Sequence, residues 1–249
     1  MVDYVHAEQY TLSIRVSADG LCFAVHHPER ADEFAYMPYD ADPLLPMVAN
    51  LKQALETFPL LQHRYGKVQL LLADAPCQVV PDDFVDVQGL GGYVISLPEH
   101  VLSLRFQADA TLMKWAEETF NNLYVCPGLF SVLRFALQQD SVTLCHLHGR
   151  RMDLICVRDG RLQFANTFDS DTTANALYFL LGTWQTLGLS QEDDVLTIVG
   201  RSSCKRELTA KASRFIRHVA DPRPAELFHA SELARLAAVP FDLQTLVNG

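Results

Sequence analysis

The stretch LTIVGRSSCKRELTAKASRFI, Leu196 to Ile216, sets a glycine and two serines between an apolar run and a cation-rich one. Glycine permits close backbone approach, and the free amides of a helix start attract an anion, so Gly200, Arg201, Ser202 and Ser203 form one candidate binding turn. A serine N-cap would satisfy the same amides without a ligand, and the residues leave both readings open. Beyond the turn, Arg201, Lys205, Arg206, Lys211, Arg214, Arg217 and Arg223 outnumber Glu207 and Asp221. That imbalance fits a docking face for an acidic partner or a solvated helix face. His146 and His148, two apart in an alternating run, share one strand face as a pair of metal ligands would, and Cys145 takes the other. No second cluster stands at a recognisable ligand spacing, so the expectation is a packed histidine pair and no metal is assigned. Arg150 and Arg151 follow Gly149 in HLHGRRMD, where guanidinium groups fit direct contact with phosphate or a solvated hairpin tip. GxxxxGK, GxGxxG after a strand, HExxH and GxSxG are all missing, which excludes the usual phosphate-loop, dinucleotide, zincin and serine-hydrolase patterns.

These residues sit in a chain of 249 residues, 49% hydrophobic and 20% charged, long enough for one large or two smaller cores. A formal charge of -10 argues against broad nucleic-acid binding, which needs a basic surplus to displace counterions. The six cysteines are scattered without CxxC pairs, mostly in apolar runs, and imply free packed thiols in a reducing compartment. The start MVDYVHAEQYTLSIRV has no cationic segment leading into an apolar one, and no run approaches the ~18 apolar residues of a membrane span. A cytoplasmic location without membrane contact is expected.

The elements that position the candidates follow from periodicity. YTLSIRVS and LCFAVHH alternate on either side of Ala18-Asp19-Gly20, which predicts a hairpin over residues 10 to 27, and ADEFAYMPY supplies a third strand. Asp42 and Pro43 open a helical pattern of Leu44, Met47, Val48, Leu51, Leu55 and Phe58, delayed by Pro46. KVQLLLA reads as a buried strand. A proline- and glycine-punctuated stretch follows, with at least one strand pair and a turn at Gly89 to Gly92. DATLMKWAEETFNN is an aspartate-capped helix, LYVCP a short strand, and GLFSVLRFAL a helix apolar on nearly all sides, as befits one trapped between two larger bodies. Near Asp140 the order restarts. SVTLCHLH, MDLICV and LQFANTF form a meander, a helix runs from about Thr172 to Leu187, VLTIVG is a strand, and the cationic helix, IRHVA and a last helical segment with Leu233, Leu236 and Phe241 complete the chain.

Three strands, a helix, a strand and a helix thus occur twice, which predicts an α/β protein of two halves, residues 1–137 with an irregular insertion near 76–107, and residues 138–249. That duplicated order resembles the tandem ribonuclease-H-like architecture of the actin, hexokinase and heat-shock-70 ATPases. LLADAP, Leu71 to Pro76, is similar to an actin strand ending in alanine-proline. Glu118 to Leu137 resembles the lead into actin's interdomain helix, and Leu196 to Ile216 resembles the adenosine motif. The arrangement also resembles a bacterial family of domain-of-unknown-function proteins assigned to this fold, whose members begin with a strand, a serine-rich turn ending in Asp-Gly, and a second strand.

The resemblance implies a cleft between the halves that takes ATP or ADP with Mg, lined by Asp19, Gly20, Gly149, Arg150 and Gly200 to Ser203. It also implies an incomplete hydrolytic set. No Ser or Thr follows Gly20, Gly149 and Arg150 stand where the second loop carries an acid, and PGLFSVL lacks the catalytic Glu or Gln. A two-metal nuclease is excluded because TLSIRVS bears no carboxylate. The expectation is a degenerate nucleotide-binding or pseudo-ATPase protein, or alternatively a protein-interaction or assembly factor that binds no nucleotide.

Overall fold

The computed structural model describes residues 2–84, 92–228, 236 and 238–248. The first alternating runs form β1 (Thr11–Ser17) and β2 (Gly20–His26), and β3 (Phe34–Tyr39) adds to β2. Pro46 has no amide to donate, so α1 (Met47–Thr57) begins just after it. Then come β4 (Lys67–Leu72), β5 (Cys77–Pro81), β6 (Tyr93–Leu97), β7 (Leu102–Phe106), α2 (Ala110–Thr119), β8 (Leu123–Pro127) and α3 (Gly128–Leu137). Asp109 caps α2 by accepting from the Leu112 amide at 2.7 Å. The second half contributes β9 (Val142–His148), β10 (Arg151–Arg158), β11 (Arg161–Asp169), α4 (Thr173–Thr186), β12 (Val195–Arg201), α5 (Lys205–Ala212), β13 (His218–Ala220), α6 (Pro224–Leu227) and α7 (Phe241–Asn248).

Two five-stranded sheets result, ordered β3-β2-β1-β4-β8 and β11-β10-β9-β12-β13. In each, the first three strands run antiparallel and the next two add in parallel, so the second sheet repeats the first strand for strand and direction for direction. The stretch read as an irregular insertion near 76–107 contains residues 85–91, which lie outside the described ones. Its described residues include a third, three-stranded sheet, β5-β7-β6, because Ile95, Leu97, Leu104 and Phe106 supply a buried alternating face. The turn expected at Gly89 to Gly92 falls mostly outside the described residues, as does Leu233.

Two cores follow from the alternation. One face of the second sheet, with Cys145, Leu147, Met152, Leu154 and Cys156, packs against α4 and α5 through Leu180, Trp184 and Leu208. Its other face, with Leu144, Ile155, Val157 and Val199, joins one continuous core with the first half, α3 and α7. Helix α3 is buried at every residue except Arg134, as its all-round apolar character predicts. The C-terminal α7 returns to pack on α3, β1 and β12, placing it between the two sheets.

Candidate functional site

The β1–β2 and β9–β10 turns border one cleft of about 640 Å³. Asp19, Gly149 and Arg150 line it, together with Ser17, Asp74 and Arg151. Its centre of contacts is Asp74, in the turn leaving β4, a residue the sequence reading did not single out. One Asp74 oxygen accepts from the Ala18 amide at 2.7 Å and from the Ser17 hydroxyl at 2.9 Å. The other lies 3.6 Å from His148 Nδ1, and the Arg151 guanidinium donates to the Asp74 backbone carbonyl at 2.8 Å. Asp74 therefore closes the turn of the first half with its carboxylate and meets the second half twice, the carboxylate facing His148 and the backbone carbonyl accepting from Arg151. Partial burial opposes the charge, but His148, the Ala18 amide and the Ser17 hydroxyl hold Asp74 well below the usual carboxylate range. The cleft carries four carboxylates, Asp19, Asp74, Asp169 and Asp171, against the two guanidinium groups of Arg150 and Arg151.

Asp19 pairs with Arg15 at 3.2 Å, and its side chain is half exposed. Gly20 starts β2 with a φ of +134°, which explains the glycine without a ligand. Arg150 is exposed, and it reaches Asp171 at 3.4 Å. Gly200 to Ser203 do not line this cleft. A Cβ on Gly200 would lie 2.1 Å from the Leu147 carbonyl oxygen, so β9 itself demands glycine there, and the φ of +82° adds to the demand. The close approach expected of a ligand is made by the neighbouring strand. Arg201 turns to the Ala238 carbonyl at 3.4 Å, which also accepts from the Tyr36 hydroxyl at 3.2 Å. The serine cap is corrected as well: Cys204 is the residue before α5, and the Ser202 hydroxyl accepts from the Cys204 amide at 3.4 Å. Of the cations beyond it, Lys205, Lys211, Arg217 and Arg223 are paired with Asp221, Glu207, Glu192 and Glu226. The apparent basic face is thereby largely offset.

Between the sheets, Arg15 donates from Nε to both oxygens of Asp242 on α7, at 2.8 and 2.9 Å, and both side chains are almost fully buried. The Asp242 carbonyl accepts from Ser131 on α3 at 2.9 Å. Residues 227 positions apart are thus joined where the halves meet.

Below the cleft, on the same face of the second sheet, His146 and His148 stack with ring centroids 4.8 Å apart. Antiparallel register sets Asp153 of β10 directly opposite His146, so its carboxylate emerges on the histidine face. Asp153 Oδ2 lies 2.9 Å from His146 Nδ1 and 3.1 Å from His148 Nε2, while Oδ1 accepts from the Thr167 hydroxyl at 2.7 Å. Burial pushes His146 down. Burial also acts against charge on His148, but the charge of Asp153 and contacts with Asp153 and Asp74 raise it to about 10. Sequence spacing missed Asp153 because its partner residues belong to a different strand; only the tight Gly149-Arg150 hairpin, which fixes the register, signals it. The cysteines are free, and burial pushes the Cys22, Cys77 and Cys126 thiols up to about 12.

Comparison with solved structures supports the architecture. A Bacteroides thetaiotaomicron protein with actin-like ATPase fold and unknown function, solved at 1.85 Å, superposes with a TM-score of 0.83 at 23% identity, covering 100% of this chain and 99% of that one. The PilM-PilN type IV pilus biogenesis complex matches at a TM-score of 0.59 and 12% identity, over 96% of this chain and 94% of that one. Ethanolamine utilization protein EutJ from Carboxydothermus hydrogenoformans matches at 0.51 and 9%, over 96% and 90%. No curated protein matches the sequence. Residues 2–219 match the family described as protein of unknown function DUF3822, so the chain belongs to that family and carries the actin-like ATPase fold that its duplicated strand order implied.

Proposed function

We propose that this chain is a pseudo-ATPase: a non-hydrolysing protein of actin-like fold that works as a protein-interaction or assembly factor. One observation carries the reading. The amide of Ala18 and the hydroxyl of Ser17, in the turn that the resemblance assigns to phosphate, are both taken by the Asp74 carboxylate. A phosphate arriving there must displace a carboxylate that also faces His148, on a residue whose backbone carbonyl Arg151 holds, in a cleft whose acids outnumber its arginines. The PilM-PilN structure is one in which a chain of this fold is solved with a partner, and it supports the interaction role by analogy only. Residues 1–137 and 138–249 are read as two ribonuclease-H-like domains locked by Arg15–Asp242, and the free cysteines support a cytoplasmic setting.

Calorimetric titration with ATP and ADP in the presence of magnesium tests the reading: no heat, no thermal shift at millimolar nucleotide and no phosphate release are expected. A second reading keeps a nucleotide in the cleft, favoured by its 640 Å³ volume and by Asp19, Gly149 and Arg150 along its wall. Micromolar binding of Mg-ATP that is lost in Arg150→Ala would establish that second reading and remove the first.

A further inference from the structure

We propose that His146, His148 and Asp153 form a binding site for one divalent cation of the zinc class, beneath the interdomain cleft. Two imidazoles and a carboxylate are the mixed nitrogen and oxygen donors that such borderline cations prefer. All three side chains are more than nine-tenths buried, and their ligand atoms lie within 4.8 Å of one another. Donors about 2.0–2.1 Å from zinc at angles near 90–110° stand roughly 3.0–3.4 Å apart. The separations here, 2.9 Å from His146 Nδ1 to Asp153 Oδ2 and 3.1 Å from His148 Nε2 to the same oxygen, are close to such edges.

Alignment gives a second, independent observation. His148 Nε2 is within contact distance of Asp153, yet neither of its buried ring nitrogens makes an aligned hydrogen bond. A ring nitrogen that faces a point between its neighbours shows this combination of short distance and poor angle, as His148 Nε2 does, whereas His146 Nδ1 shares with Asp153 Oδ2 a hydrogen bond that a cation would replace. Thr167 donates to Asp153 Oδ1 at 2.7 Å and holds that oxygen away from the histidines, while Asp74 Oδ1 lies 3.6 Å from His148 Nδ1 on the side of the ring away from Asp153. An outer hydrogen bond such as that from Thr167 fixes ligating carboxylates in metal sites generally. Asp74, beside His148 Nδ1, also lines the cleft, which puts the cluster next to the cleft wall. Binding replaces any proton on the imidazoles and therefore releases protons to the buffer. This site is distinct from any nucleotide role, and its test contains no nucleotide, so the two proposals fail separately.

The experiment is a titration of the chelator-treated full chain with zinc chloride by calorimetry, paired with cobalt(II) titration by visible absorbance. One equivalent of zinc per chain, a chelator-reversible thermal shift and cobalt d–d bands without thiolate charge transfer are expected. Asp153→Asn should abolish stoichiometric binding. Thr167→Val, which removes only a hydroxyl behind the ligand, should weaken it about 10-fold or more while the far-ultraviolet circular dichroism stays unchanged. Folded wild-type protein that gives no zinc heat and no thermal shift overturns the site. So does an affinity that Asp153→Asn leaves unchanged; if that variant does not fold, an unchanged affinity in Thr167→Val has the same force.

Discussion

The inner faces of the two large sheets share a topology and differ in chemistry. On the first, Ser13, Arg15 and Ser17 of β1 each find an aligned partner: Gln69 at 2.9 Å, Asp242 at 2.8 Å and Asp74 at 2.9 Å. On the second, the equivalent strand β9 carries His146 and His148, and the ring nitrogens of His148 lack aligned hydrogen bonds. Repetition of the fold therefore does not repeat the site. One face has become an internal lock closed by the chain's own C-terminal helix, and the other keeps donors to spare next to a cleft.

The largest break in that comparison is expected at the lock. Arg15→Ala leaves the buried Asp242 carboxylate without its cation and should cost about 3–5 kcal/mol in urea unfolding, whereas an Arg15→Met, Asp242→Leu double variant should recover much of it. Recovery would establish that the pair fixes geometry more than it stabilises; its absence would make the ion pair itself the stabiliser. Gly200→Val comes next. The added carbon meets the Leu147 carbonyl, and a loss of about 2–4 kcal/mol is expected, against only about 1–2 kcal/mol for Gly149→Ala, where nothing lies within 4 Å and just the φ of +55° is at issue. Equal losses in the two variants would contradict the assignment of Gly200 to strand packing.

Asp74→Ala sharpens the contrast at the place where the faces touch. It should cost about 1–3 kcal/mol, and it should speed hydrogen exchange of the Ala18 amide with little effect on Leu154, whose side chain packs on the far side of the second sheet. Uniform acceleration in both places would mean that the carboxylate serves the whole fold. The smallest effect concerns His26, at the end of β2, which burial and then the Lys67 and His27 charges push down to about 4. The unfolded chain takes up the proton first, near pH 6.5, so stability falls as pH drops below that value. From pH 7 to 5.5 the loss is about 1 kcal/mol, and His26→Gln should flatten that limb of the curve.

Much of the frame was legible in the sequence because it rests on local signals. The alternation of Leu12, Ile14 and Val16, the Asp-Gly corner, the cap at Asp109 and the all-round apolar GLFSVLRFAL each specify an element without reference to distant residues. Their repeated order specified the architecture. The candidate site was legible only in part. Asp19, Gly149 and Arg150 do border one cleft, but Gly200, for which a ligand was one of two open readings, answers to a carbonyl of the strand beside it. A glycine required by a partner strand and one required by a ligand look the same in one dimension.

What the order of residues settled is the list of elements and their duplication, since hydrophobic period and turn chemistry act over a few positions. Register and long-range closure settled the rest. Asp153 reaches the histidines because two strands pair residue to residue, and Asp242 reaches Arg15 because the last helix folds back across the molecule. Such pairings depend on where buried charge can be satisfied, a condition imposed by the whole packed chain and carried by no short segment of it.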